Sequence, residues 1–503
     1  MEKSGFEVFS YSIDFKLFSI MIKKTIALII AVYICFNISG QNRHRLEFNK
    51  EGKFKIAQFT DLHWIDGSPN CSKTASTIKY VLKTEKPDLA ILTGDVVWKL
   101  PSRRPWRDIP KIFEDAGVPF AVVLGNHDAE GGTEITRSGI FEILAQSPYF
   151  VGEKGPDDIY GAGNYVLPIW GKRSTISALL YCFDSNSYQQ NTLYGSYDWV
   201  HFNQIEWYRR QSKKFTKQNN NKPLPALAFL HIPLPEYKEV LNKPSTIGHY
   251  GEDVSSPRIN SGLFGSFVDM QDVKGVFAGH EHDNDFVGLD FDVALAYGRA
   301  TGFDTYGSLT HGARIIEMKE EPFRFDTWIC TPEGKELFFH YPSGISSVDE
   351  QNMHYLPAVQ TKSQKHGVAY TYYEGTFKSF NDTTTAVKRV NGVMDKLSIK
   401  EAPVKSGFAY DFNSFIDIGK KGVYSFCTIS DDCSKLYIDG NLVVDNNNST
   451  GFYASGKVAL DEGFHRFRIL YFQDEWGCRL DVGFCDKGTV YQLIPDSMLF
   501  VPQ

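Results

Sequence analysis

Between residues 53 and 128 the chain alternates short apolar runs with amphipathic stretches, and each apolar run ends in polar residues. "KFKIAQFTDLH" predicts a strand that closes on Asp61 and His63. "SKTASTIKYVLKTEKP" then sets Ala75, Ile78 and Leu82 on one helical face, and Pro87 stops it. "DLAILTGD" predicts a second strand; Ile109, Ile112, Phe113 and Ala116 mark a second helix closed by Gly117, and "PFAVVLGNHD" a third strand. Continuous apolar strands alternating with helices predict a parallel α/β arrangement covered on both faces. Further buried-type strands are predicted at "SALLYCFDS", "PALAFLHIP", "VKGVFAGHEH", "DVALAYG" and "FRFDTWIC".

Beyond residue 366 the pattern changes. "GVYSFCTIS", "SKLYIDGNLVVDN", "HRFRILYF" and "CRLDVGF" alternate apolar and polar residues, and Asp439-Gly440 is a strong hairpin signal between two of these runs. An all-β antiparallel sandwich is expected over 366–503. Residues 342–365 are polar and without period, which predicts a linker after an α/β domain over 42–341.

At 503 residues, two or three domains are expected. The net charge of -7 and the absence of a long Lys/Arg run disfavour nucleic acid as a partner. "MIKKTIALIIAVYICFNISGQ", from Met21, reads as a secretory signal, with Lys23 and Lys24 at its basic end, Thr25 to Phe36 apolar, and Ser39-Gly40 at a small-residue cleavage region. Its apolar part is shorter than the roughly 20 residues a membrane span needs. Translation is therefore expected to start at Met21, the region 1–40 to be removed, and the mature chain to be exported, periplasmic or extracellular, without a transmembrane segment. Export permits disulfides. Of eight cysteines, those left without Cys35 are Cys71, Cys182, Cys330, Cys427, Cys433, Cys478 and Cys485, an odd number in no zinc spacing; the last four could pair locally, with connectivity open.

The chemistry-bearing residues share one placement. Three successive strands end in Asp61-Leu62-His63, in Gly94-Asp95 and in Gly125-Asn126-His127-Asp128, at intervals suited to βαβ units of about 30 residues. Two later strands end in His231 and in "GHEH", His280 to His282. Open α/β sheets bind ligands at the carboxyl ends of their strands. Histidine and aspartate without thiolate suit Zn, Fe or Mn. Asp95, on the middle strand of the first three, can bridge two cations about 3.5–4 Å apart. Such a site is net positive with one hydroxide and favours an anionic phosphate.

Asp61-x-His63, Gly94-Asp95, Gly125-Asn126-His127-Asp128, His231 and Gly279-His280-x-His282 together resemble the signature of calcineurin-like metallophosphoesterases, over roughly residues 53–340. The resemblance implies a β-sandwich flanked by helices and two transition-metal ions (Mn, Fe or Zn). It would place Asp61, His63, Asp95 and His282 on one ion and Asp95, Asn126, His231 and His280 on the other. It also implies in-line attack of an activated water at phosphorus, with His127 protonating the leaving oxygen and Asp128 orienting His127. "HIPLPEY" and "GARIIE" are similar to the purple-acid-phosphatase-like branch. Purple enzymes carry a ligating Tyr three residues after the bridging Asp; here Trp98 stands there, so a colourless site is expected. Asn126 and Arg299 are candidate phosphate contacts, and Trp64, Asp66, His249 and Asn284 further candidates for the cleft wall.

The C-terminal runs "YTYYEGTF", "ISDDCSKLYIDGNLVVDN", "GKVALDEGFHRFRILYF" and "YQLIPDSMLF" resemble the protective-antigen-type sandwich of secreted glycan-active enzymes and adhesins. That resemblance implies a calcium and sugar site at Asp431 and Asp432. The expected substrate is a phosphorylated small molecule or a surface-linked phosphoester, with glycans as partners of the sandwich. Two alternatives stay open: a phosphodiesterase or nucleotide pyrophosphatase on the same site, and a non-catalytic glycan-binding surface protein.

Overall fold

The computed structural model describes residues 44–502 apart from 131–133, 242, 244–245, 362–364, 448–452 and 475–476. The candidate signal segment lies outside the described residues. Among those described, no helix is long and apolar enough to cross a membrane.

The α/β domain is built on strands β1 (Lys53–Phe59), β2 (Leu89–Thr93), β3 (Phe120–Val123), β4 (Tyr165–Trp170), β5 (Ile176–Cys182), β6 (Ala226–Phe229), β7 (Val273–Ala278), β8 (Val287–Asp290), β9 (Val293–Tyr297), β10 (Ala313–Lys319), β11 (Arg324–Thr331) and β12 (Gly334–Tyr341). They form two six-stranded sheets, ordered β12-β11-β10-β1-β2-β3 and β4-β5-β6-β7-β9-β8. Ile56 and Phe59 of the first and Leu227, Phe229 and Phe277 of the second belong to one continuous core, so the sheets pack as a sandwich.

The expected parallel arrangement forms the centre of each sheet, with antiparallel strands beside it. β1-β2-β3 and β5-β6-β7-β9 are parallel, whereas β10, β11, β12, β4 and β8 pair antiparallel. The antiparallel strands need only short returns, and β10–β12 follow one another as a meander, which an apolar pattern does not distinguish from buried parallel strands.

Helices α1 (Asn70–Glu85) and α2 (Pro105–Ala116) cover the first sheet through Ile78, Val81, Leu82, Ile109, Ile112 and Phe113. Their ends follow the predicted signals. Lys86, before Pro87, and Gly117 both cap in the left-handed conformation. After α3 (Arg137–Leu144), α4 (Phe202–Gln218), α5 (Tyr237–Val240) and α6 (Leu263–Met270) cover the second sheet, with Trp207, Tyr208, Tyr237 and Phe267 against Leu179 and Tyr181.

Residues 342–365, expected as a linker, carry α7 (Ser347–Asn352) and β13 (Tyr355–Leu356). A capping box of Ser346 and Asp349 starts α7, and buried Ile345 packs with Val423, Ala459 and Cys485 of the C-terminal domain. Lys457 Nζ reaches Gly344 O at 2.7 Å and Asp349 at 2.9 Å, and Lys487 meets Glu350 at 2.7 Å. Six helical residues are too few to show a period, which is why this segment reads as irregular.

The C-terminal domain contains β14 (Val368–Glu374), β15 (Lys388–Met394), β16 (Phe408–Ile418), β17 (Gly422–Asp431), β18 (Cys433–Ile438), β19 (Asn441–Asn446), β20 (Tyr453–Leu460), β21 (Gly463–Gln473), β22 (Arg479–Asp486), β23 (Gln492–Leu493) and β24 (Leu499–Phe500). One sheet runs β13-β20-β17-β22-β23; the other runs β15-β14-β16-β21-β18-β19, with β24 on β16. Phe412, Ile416, Leu436 and Ile469 meet Phe426, Val458 and Phe484 in the core between them.

The seven described cysteines are free thiols. β17 and β22 pair Cys427 with Gly483 and Ser425 with Cys485, so these two thiols are not opposite one another, and Cys433 belongs to the other sheet. Local pairing of the last four is therefore absent.

The predicted Asp439-Gly440 turn joins β18 to β19 with φ 50° and 84°, as a two-residue hairpin requires. Buried His465 fixes that turn: Nδ1 lies 2.6 Å from Asp439 and Nε2 2.9 Å from Asp461 O. Burial depresses the imidazolium, but its acceptors, Asp439 first, outweigh that and raise its pKa. A raised folded-state pKa gives stability that is complete below the unfolded value, about 6.5, and is lost as pH climbs through the folded value. The melting temperature of the sandwich should accordingly fall from pH 6 to pH 9 by an increment that His465→Gln abolishes, read by scanning calorimetry; an unchanged increment in the variant would remove His465 as its source.

Candidate metal centre

Each candidate ligand sits just past a strand, where the backbone must turn sharply. Asp61, His63, Asp95 and His280 all have positive φ, 53°, 42°, 47° and 85°. Neighbouring glycines make room for them. A Cβ on Gly94 would lie 2.4 Å from His231 Nδ1, and one on Gly125 would lie 2.1 Å from Asp95 Oδ1. The "GD" and "GN" pairs are thus packing requirements of the site, and not merely turn formers.

The strand ends come from both sheets. Asp61, His63, Asp95 and Asn126 follow β1, β2 and β3 of the first, and His231, His280 and His282 follow β6 and β7 of the second. They meet in two buried groups, Asp61-His63-His282 and Asp95-His231-His280, each with ligand atoms within 4.8 Å of one another. Asp95 Oδ2 faces both: it lies 3.2 Å from His231 Nε2 and 3.6 Å from His63 Nε2. His282 Nε2 is 3.4 Å from Asp61 Oδ1, and His280 Nδ1 is 3.3 Å from His231 Nε2.

Outer contacts fix these side chains. His231 Nδ1 donates to Thr93 O at 2.8 Å and His282 Nδ1 to Tyr306 O at 3.1 Å, which turns each Nε2 inward. Thr60 Oγ1 donates to Asp61 at 2.8 Å, and the His127 N–H to Asp95 Oδ1 at 2.8 Å. Asn126 Nδ2 donates to Tyr188 OH at 2.9 Å.

Whether this set suits cations is tested by its unpartnered atoms. Both ring nitrogens of His63 and Oδ1 of Asn126 are buried with no hydrogen-bond partner. Buried polar atoms rarely stay so unless an ion or water meets them. Burial holds His63 down at about 4 and His280 at about 3, the latter helped by the charge of His231, so both are neutral ligands near pH 7. Burial also opposes ionisation of Asp61, but His282 overrides it and brings the carboxyl to about 2. His231 is lowered by burial and raised more strongly by Asp95, to about 10. Two ionised carboxylates, four imidazoles and one asparagine oxygen form an oxygen and nitrogen donor set suited to Mn, Fe or Zn.

His127 lies at the rim of this centre, its Nε2 4.0 Å from Asp95 Oδ2. Its expected partner was Asp128, and the structure corrects that. Asp128 turns away and accepts the backbone N–H groups of Val96, Val97 and Gly125 at 2.7, 2.9 and 2.7 Å, which ties the β2 and β3 loops together. Glu130 instead meets His127 Nδ1 at 2.5 Å. Tyr188 OH is within 3.4 and 3.5 Å of the same ring. Neither Glu130 nor Tyr188 was identified from sequence. Glu130 follows the "GNHD" block closely enough to have been weighed, whereas Tyr188 lies in a loop with no pattern.

Arg299 is a second correction. It is buried, donating to Asp285 through Nε at 2.9 Å, to Glu336 at 2.8 Å and to Thr310 O at 2.7 Å, so its charge is consumed inside the domain and does not reach phosphate. His249 also pairs with Asp285, and buried Asn284 holds the backbone of Gly251 and Glu252. Trp64 bridges to Val97, and Asp66 lies 3.7 Å from Arg104. Trp98 does reach the cavity, its ring edge-on to His63 at 5.4 Å. In the sandwich, Asp432 accepts the Asp474 N–H at 2.7 Å and Asp431 O accepts from Tyr471 OH at 2.6 Å. Those contacts hold the loop after β17.

Residues 54–284 match the calcineurin-like phosphoesterase family, and 364–492 match the PA14 domain. Over 344 residues the chain is 30% identical to probable inactive purple acid phosphatase 14 of Arabidopsis thaliana, covering 59% of this chain and 84% of that one. Over 320 residues it is 33% identical to probable inactive purple acid phosphatase 29 of the same plant, covering 57% and 82%. Phosphatase DCR2 of Saccharomyces cerevisiae is 32% identical over 328 residues, covering 56% of this chain and 54% of its own length. The chain belongs to the calcineurin-like metallophosphoesterases, with purple-acid-phosphatase-like relatives, and carries a C-terminal PA14 domain.

Gly94→Ala should keep the fold but displace His231, leaving about one metal per chain by plasma emission analysis where the parent protein holds about two. Retention of two would show that the imidazole position tolerates the methyl group. Glu130→Ala should free the His127 ring and cost about 10-fold or more in any kcat on alkyl phosphates while metal content stays constant. An effect confined to metal content would argue against orientation of His127.

Proposed function

We propose that this protein is an exported, metal-dependent phosphomonoesterase whose sandwich domain holds it on glycans or other surface material. The observation that carries the catalytic part is the convergence of six of the seven expected ligands in two buried groups, with His63 and Asn126 presenting buried atoms that have no hydrogen-bond partner. The plant relatives bear the description inactive and the yeast relative the description phosphatase, so kinship alone does not choose. The donor set favours activity.

Two cations held by these residues would supply Lewis acidity and lower the pKa of water to near neutrality. Asp95 joins the two groups through Oδ2, and Asn126 is held through Nδ2 by Tyr188, with Oδ1 buried and without a hydrogen-bond partner. His127 faces the cavity with Nε2, while Glu130 holds Nδ1 and fixes the ring's orientation. From Nε2 a proton passes to the departing alkoxide as the P–O bond breaks.

Export rests on the signal-like pattern from Met21, and glycan attachment on the PA14 match. Calcium at Asp431 and Asp432 belongs to the same proposal. The rival non-catalytic adhesin makes no use of the metal ligands.

Chelation should abolish hydrolysis of p-nitrophenyl phosphate, and Mn, Fe or Zn should restore it with about two ions bound per chain. A reconstituted preparation with full metal content and no turnover would favour the adhesin. His127→Asn should lower kcat on alkyl phosphates about 10²–10⁴-fold and on p-nitrophenyl phosphate far less, because nitrophenolate leaves without an acid. Equal losses on both would remove the acid role.

A further inference from the structure

Above the candidate ligands opens a cavity of about 280 Å³, the size of a small-ligand site. Its floor is formed by His63, Asp95, His127, His280 and His282. Away from them the wall has three kinds of group: the rings of Trp98, Tyr197 and Tyr306, the carboxyl groups of Asp304 and Glu281, and the hydroxyls of Ser255 and Thr305. Among the described residues no Lys or Arg lines it.

These wall groups are fixed before any ligand arrives. The Tyr306 ring stacks on His282 with centroids 4.0 Å apart, and its hydroxyl donates to Glu252 at 2.8 Å. Asn70 Nδ2 holds Asp304 Oδ1 at 2.9 Å. The Ser255 N–H holds one oxygen of Glu281, and the carboxyl, on a residue that is 2% exposed, also meets the Tyr297 hydroxyl. Thr305 Oγ1 donates to Gly302 O at 2.9 Å, which leaves its lone pairs for a donor.

Resting on the phosphoesterase reading, we propose that the substrate is the monophosphate ester of an uncharged hydroxylated ring, a sugar or cyclic polyol, and that a second anionic group is rejected. The phosphoryl group is the one anion the floor can accept. A second phosphate would face Asp304 with no guanidinium or ammonium beside it. A plain alkyl or aryl leaving group would leave the free side of Asp304 without a donor, whereas a ring hydroxyl donates to it. The carbon face of such a ring lies against Trp98 and Tyr306. A cationic alcohol is disfavoured because Lys99 already covers Trp98, its Nζ 4.2 Å from the ring centroid.

The test is kcat/KM of the metal-loaded full chain on glucose 6-phosphate, mannose 6-phosphate, cyclohexylmethyl phosphate and glucose 1,6-bisphosphate. Cyclohexylmethyl phosphate keeps the ring and the primary-alcohol leaving group without hydroxyls; the bisphosphate keeps the sugar and adds the anion. The better hexose ester should exceed each of the other two by about 10-fold or more, and Asp304→Ala should bring the first ratio below about 3-fold. Asp304→Asn, which keeps the side-chain shape, guards against a folding defect and should restore hydrolysis of the bisphosphate relative to the hexose ester. A ratio under about 10-fold for either comparison in the parent protein overturns the inference. p-Nitrophenyl phosphate, run in parallel, separates the two readings: its hydrolysis without the sugar preference sinks only this inference, and no hydrolysis of it or of any of the other esters sinks the phosphoesterase as well.

Discussion

The burial of two carboxylates, Asp61 and Asp95, at the meeting point of two sheets is the constraint from which the catalytic domain takes its local form. An isolated buried carboxylate is costly unless hydrogen bonds and opposite charge surround it. Thr60, the His280 amide and His282 surround Asp61, while the His127 amide and His231 surround Asp95. Burial keeps His63 and His280 neutral, so they relieve none of this charge. What remains is met by protons on His231 and His282 or by cations in their stead. The glycines at 94 and 125 follow from the same constraint, because any side chain there would fill the space that the carboxylate and imidazole need.

Much of this was legible in the sequence because each ligand follows an apolar strand, and strand ends are easy to locate. Asp61, Asp95 and Asn126 end consecutive parallel strands, as their spacing predicted. The division of strands between two sheets followed from the family resemblance and not from the pattern, since β6 and β7 look like continuations of the same parallel pattern. Nor does sequence give side-chain direction. Asp128 adjoins His127 yet turns onto three amides, whereas Glu130 comes back through the turn in which its N–H bonds His127 O at 3.1 Å. Arg299 failed for a related reason: a guanidinium suits phosphate, but Asp285 and Glu336, distant in sequence from the ligand blocks, had already claimed it.

In the sandwich the opposite balance holds. Period-two alternation and the Asp439-Gly440 turn were plain, because one face of each strand meets the core and the other does not. The join to the catalytic domain was hidden. Ile345 is a single apolar anchor in a polar stretch, and Lys457 and Lys487 reach it from distant strands. An attachment made of one buried residue and a few ion pairs leaves almost no periodic trace.

Backbone strain falls on four of the candidate metal ligands. Asp61, His63, Asp95 and His280 each hold positive φ, at roughly 1–2 kcal/mol apiece for residues other than glycine. Their side chains bring acidic and basic groups into a water-poor cluster that contributes less to stability than well-packed apolar residues of similar size could. Neither feature is needed to close the sandwich core, which is complete in Ile56, Phe59, Phe229 and Phe277 below the strand ends. Cations bound by these donors would offset both costs, since structural zinc alone contributes about 10–16 kcal/mol in small folded domains. The strained turns, the unpartnered His63 and the inward Asn126 oxygen therefore have one common account, in which the centre is built for metal and the surrounding fold supports it.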